Sequence, residues 1–104
     1  MNKPIEQWLN RAKAGVEVNS KALWPNCSAN HETLAWTEGK KYIRVVVRYL
    51  EDKIGSGSSY CFIDQEGNIY KSAGFSTPAK GIRGTIDSVD PNKLDGSTDW
   101  LYRK

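Results

Sequence analysis

The sequence predicts an α+β domain: a small antiparallel sheet of about four strands in two hairpins, with an N-terminal helix packed on it. Three observations predict it. Apolar residues recur at helical spacing near the N-terminus, two later stretches alternate with the two-residue period of strands, and turn residues interrupt each of those stretches. With 104 residues there is room for one hydrophobic core, so residues 1–104 are read as a single domain.

The helix is expected over Pro4 to Ala14. Pro4 suits the first helical turn, Asn2 or Lys3 precedes it as the cap, and Ile5, Trp8, Leu9 and Ala12 form one apolar face. Gly15 reads as its left-handed stop, and residues 16–31 read as mostly irregular. Thr33 to Thr37, a turn at Glu38-Gly39-Lys40 and Tyr42 to Leu50 then form the first hairpin. In its second strand Ile43, Val45, Val47 and Tyr49 share the core face, and Tyr42, Arg44, Val46 and Arg48 share the other. The second hairpin is Tyr60 to Ile63, a turn at Asp64-Gln65-Glu66-Gly67, and Asn68 to Ser72. After it, Gly74, Pro78, Gly81 and Gly84 forbid a long regular element, although Thr85 and Ile86 allow a brief return to strand.

Composition excludes more than it identifies. Hydrophobic residues make up 38% and charged residues 26%, the balance of a soluble globular chain, and no apolar run is long enough for a membrane span. Cys27 and Cys61 have neither metal-type nor redox-type spacing and read as small hydrophobes in a reducing compartment. One histidine, His31, and two separated cysteines make no usual metal-ligand set, so neither metal nor cofactor is expected. No acid, base and nucleophile combine either, and the chain is read as non-enzymatic.

The charge is more informative in its placement than in its size. The net charge of +3 lies wholly within residues 67–86, which hold Lys71, Lys80 and Arg83 and no acidic residue; the remainder is neutral. Glycines beside Lys80 and Arg83 allow close approach of a ligand and an anion-binding nest of N–H groups. Arg83 has the geometry to grip a phosphate or carboxylate with two parallel hydrogen bonds, with Lys80 and Lys71 as point charges. Phe62, Tyr70 and Phe75 lie close enough in sequence to offer a base a stacking surface. The competing reading is an ordinary solvated loop. A homodimer is also expected, because a short sheet leaves edges unpaired and Val46 breaks the polar outer face of the Tyr42 to Leu50 strand.

Tyr42-Ile43-Arg44-Val45-Val46, Cys61-Phe62-Ile63-Asp64, Gly67-Asn68-Ile69-Tyr70-Lys71, Pro78-Ala79-Lys80 and Arg83-Gly84-Thr85-Ile86 together resemble a widespread group of small tailed-bacteriophage proteins, mostly without assigned function. The resemblance spans roughly residues 40–86. The group typically has aspartate where Asn68 stands, tryptophan at Phe75 and lysine at Ser76. The resemblance implies a phage protein in the cytoplasm of its bacterial host. With the basic segment, it implies a counter-defence protein holding a nucleotide-like anionic ligand through residues 67–86. The alternative is a small virion structural, assembly or host-takeover protein acting through contact with a host or phage protein.

Overall fold

A computed structural model describes residues 2–50, 57–74, 77–95 and 101. A helix, α1 (Lys3–Leu23), lies against one five-stranded antiparallel sheet: β1 (Glu32–Glu38), β2 (Tyr42–Tyr49), β3 (Ser58–Asp64), β4 (Asn68–Tyr70) and β5 (Gly84–Thr85), ordered as in the chain. The α+β class and the two hairpins stand as the sequence predicts. The sheet has one strand more, because Gly84–Thr85 pairs with Asn68 and Ile69. No described helix is long and apolar enough to cross a membrane.

Helix α1 starts where the sequence places it. The Asn2 side chain accepts the Ile5 N–H at 3.0 Å and Pro4 sits in the first turn. It does not stop at Gly15. Val16 and Ser20 continue the buried face, and Asn19 donates its side-chain amide to the carbonyls of Asn92 and Leu94. What requires glycine at position 15 is packing: a Cβ there would lie 2.5 Å from the Pro91 carbonyl oxygen, in the 3-10 turn Pro91–Lys93 that crosses the helix.

The core is Ile5, Trp8, Leu9, Ala12 and Val16 of the helix against Leu34, Ile43, Val45, Cys61, Ile63 and Ile69 of the sheet, with Leu94 and Leu101. Ile43 and Val45 take the inward places that alternation assigns them, whereas Tyr49 at the end of β2 is half exposed. Trp8 anchors the C-terminal third as well, donating its indole N–H to the Val89 carbonyl at 3.0 Å. A register shift opposite Val45 and Val46 leaves Tyr60 as an extra residue in β3. Tyr60 is buried beside Cys61 and donates its hydroxyl to the Asp95 carbonyl at 2.7 Å. Both cysteines are free: burial pushes the Cys61 thiol up, and Cys27 is exposed rather than partly buried as expected.

Strand β2 lies between β1 and β3. Both its backbone edges are therefore paired, and the free edges of the sheet belong to β1 and β5.

Candidate functional site

The face of the sheet opposite α1 carries Tyr42 and Arg44 on β2, Phe62 and Asp64 on β3, and Asn68 and Tyr70 on β4, by the registers Tyr42↔Asp64, Arg44↔Phe62 and Phe62↔Tyr70. Three rings meet there. Tyr42 stands edge-on to Phe62 at 6.3 Å between centroids and edge-on to Tyr70 at 5.6 Å. Phe62 is only 3% exposed although no helix covers this face, so the ring surface open to a ligand belongs to Tyr42 and Tyr70.

Asp64 organises the turn from β3 to β4. Its Oδ1 accepts the N–H groups of Glu66 and Asn68 at 2.9 and 3.0 Å, and its Oδ2 accepts the Asn68 side-chain amide at 3.0 Å and the Tyr70 hydroxyl at 2.9 Å. Gly67 completes the turn at φ +88°, a conformation side-chain-bearing residues rarely adopt. Burial alone would raise the Asp64 carboxyl, but the bonds from Asn68, Tyr70 and Glu66 outweigh it and hold it below its ordinary value. The same bond, with desolvation and the Asp64 charge, pushes the Tyr70 phenol up to about 12. Sequence reasoning read Asp64 only as a turn residue. The signal for more was its spacing to Gly67, Asn68 and Tyr70, a carboxylate followed by the donors that close on it.

The basic residues predicted from the sequence lie along the chain that returns beside β4. Ser72 bridges Pro78, Ala79 donates to the Lys71 carbonyl at 2.8 Å, and Arg83 donates its backbone N–H to the Ile69 carbonyl at 2.7 Å. Gly84 is also the ladder partner of Ile69, so Arg83 and Gly84 both stand against that one residue. Lys80 is exposed, next to Gly81 at φ +96°, and Lys71 and Arg83 are half-buried. The structure thus brings Phe62 and Tyr70 into one cluster and places Lys71, Lys80 and Arg83 along the adjoining edge. Phe75 lies outside the described residues.

A second group of basic residues was not singled out from the sequence. Lys40, Lys41 and Arg44 line an open groove of about 310 Å³ with Thr37, Gly39, Tyr42 and Phe62. Alternation had already assigned Tyr42 and Arg44 to the outer face. What it did not reveal is that the first hairpin turn brings two lysines to the same place. Among the described residues no group of three or more His, Cys, Asp or Glu is placed to hold a metal ion.

Fold and site together define a small α+β protein with one sheet face packed on a helix and the other bearing aromatic and basic side chains. The chain belongs to a family of unknown function, DUF7717, whose family model matches residues 5–103. That match takes in the helix and the C-terminal segment, beyond the span of residues 40–86. No curated protein and no solved structure matches the chain.

Proposed function

We propose that this is a phage-encoded, non-enzymatic binding protein of the infected bacterial cytoplasm that holds a phosphate-bearing, nucleotide-like ligand. The observation that carries the reading is the grouping of Lys40, Lys41 and Arg44 around a groove floored by Tyr42 and Phe62. The acid-free segment with Lys71, Lys80 and Arg83 runs along the far side of the same aromatic cluster. Cations flanking exposed ring faces suit a ligand with an anionic end and a planar end. The phage origin, and with it a counter-defence role, rests on the resemblance of residues 40–86.

Thermal-shift titration against mononucleotides, dinucleotides and cyclic nucleotides tests it. A ligand at about a hundred times its dissociation constant stabilises the fold by roughly 2.7 kcal/mol. Arg44→Ala and Arg83→Ala are expected to remove the shift while the unliganded melting temperature stays put. No shift with any compound of the panel counts against the reading.

A second reading has an observation of its own. Val18, Leu23 and Trp24 on α1 and its C-terminal end, and Tyr49 and Leu50 at the end of β2, are large apolar residues with 41–65% exposure. His31 ties the two ends together: its Nε2 lies 2.8 Å from the Trp24 carbonyl oxygen, and its own carbonyl accepts the Leu50 N–H. Such a patch favours contact with another protein, in virion assembly or host takeover.

A further inference from the structure

The open edge of β1 is a second place where the protein offers unsatisfied recognition groups. Gly39 donates to the Tyr42 carbonyl and Leu50 to the His31 carbonyl. With the unbroken register from Glu32↔Tyr49 to Glu38↔Ile43, this makes the odd-numbered residues of β1 the ones that bond to β2. The N–H and C=O groups of the even-numbered residues therefore face away from the sheet. At Glu32 this edge is closed by α1: Ser20 Oγ accepts the Glu32 N–H at 2.9 Å and lies 3.4 Å from the Glu32 carbonyl oxygen. At Leu34 and Trp36 no described residue takes these groups. The usual protections of an edge, a proline, a lysine or a bulge, are missing from Glu32–Glu38.

We propose that the Leu34–Trp36 edge of β1 accepts an extended basic segment of another protein by strand addition. Charge selects that occupant over a second copy of this chain. The two-fold pairing that uses the Leu34 and Trp36 groups is centred on Ala35, and it sets Glu32 of each copy opposite Glu38 of the other. Like charges directly opposed across strands are destabilising. The same two carboxylates, six residues and about 20 Å apart along the strand, suit a partner with Lys or Arg at matching ends. Burial, and then the Asp95 carboxylate, already raise the Glu32 carboxyl, so a cation arriving there meets an under-compensated acid. Between the ends the partner is apolar or small. A groove of about 250 Å³ along β1 is lined by Leu34, Ala35, Tyr49 and Leu50, and its basic residues Lys13 and Arg48 disfavour a cation in the middle. Main-chain bonds give such a partner its affinity and the alternate side chains its selectivity.

The probe is a synthetic peptide, Thr-Lys-Thr-Val-Thr-Val-Thr-Lys-Thr, titrated into the ¹⁵N-labelled full chain, with a twin carrying Glu in place of both Lys. Expected are shifts and slowed hydrogen exchange at the Leu34 and Trp36 amides, with the Lys peptide binding at least ten-fold tighter than the Glu peptide. Glu32→Lys/Glu38→Lys is expected to invert that preference. Glu38→Lys alone, at a fully exposed position, halves the electrostatic contrast without touching the Ser20 contact. Equal affinity for both peptides, or no perturbation of the Leu34 and Trp36 amides, overturns the proposal. So does a dimer in light scattering whose Leu34 and Trp36 amides are protected before any peptide is added.

Discussion

The two halves of the residue 61–86 signature behave differently once folded. From Cys61 to Tyr70 every polar side chain that marks the pattern is spent within the chain: Asp64 accepts four hydrogen bonds, from Glu66, Asn68 twice and Tyr70. From Lys71 to Arg83 the structure is held by main-chain bonds, through Ser72 and Pro78, Ala79 and Lys71, and Arg83 and Ile69. Lys80 projects into solvent and the Arg83 guanidinium makes no hydrogen bond or ion pair with a described residue. A recurring motif thus has two physical explanations in adjacent stretches. The first half builds the turn, and the second uses that turn as a rigid base for charges the fold itself does not consume.

The sharpest way to break this comparison is Asp64→Ala. Bonds to an ionised acceptor are worth about 1.5–3 kcal/mol each and are not additive within one network, so a loss of about 3 kcal/mol is expected. For a domain of this size that lowers the melting temperature by on the order of 15 °C, readable by circular dichroism. A shift of a degree or two would mean that the turn is held by Gly67 and the β3–β4 ladder alone.

Tyr70→Phe removes one of the four donors and keeps the ring packing on Tyr42. About 1 kcal/mol is expected, roughly 4–8 °C. Its pH dependence identifies the cause. The folded carboxyl of Asp64 sits below its unfolded value, near 3.9. Its stabilising contribution is therefore complete above that value and is lost as the pH falls through the folded pKa. The gap in melting temperature between wild type and Tyr70→Phe should be constant from pH 7 to about 5 and close below about pH 4. A gap that persists in acid would assign the effect to packing instead.

How far these features were legible in the sequence follows from the range of the interactions involved. Ile43, Val45, Ile63 and Ile69 announce their face by alternation, and Asn2 with Pro4 announces the start of α1, because both signals are local. The end of α1 was misread because Gly15 is fixed by a contact 76 residues away, with Pro91, and nothing near it in sequence reports that. The candidate site divides the same way. Phe62 and Tyr70 are neighbours by hairpin register and were grouped correctly, but Tyr42, Lys40, Lys41 and Arg44 join them only across a second strand pairing.

The smallest expected effect carries the most information about function. Arg83 contributes its backbone N–H to the Ile69 carbonyl, a bond that alanine preserves, and its guanidinium is half-exposed. Arg83→Ala is therefore expected to change stability by no more than about 0.5 kcal/mol. A structural clamp at this position would instead leave carbonyls stranded and cost about 1–3 kcal/mol. The second half of the signature differs from the first only if the two numbers separate: a large loss at Asp64 beside almost none at Arg83. With that separation in hand, the guanidinium's worth must be sought in what it holds. A charged contact of about 1.5–3 kcal/mol appears as a roughly ten- to hundred-fold weaker ligand affinity in Arg83→Ala. If Arg83→Ala instead melts early, the arginine belongs to the scaffold, and the phosphate-binding reading must stand on Lys40, Lys41 and Arg44 without it.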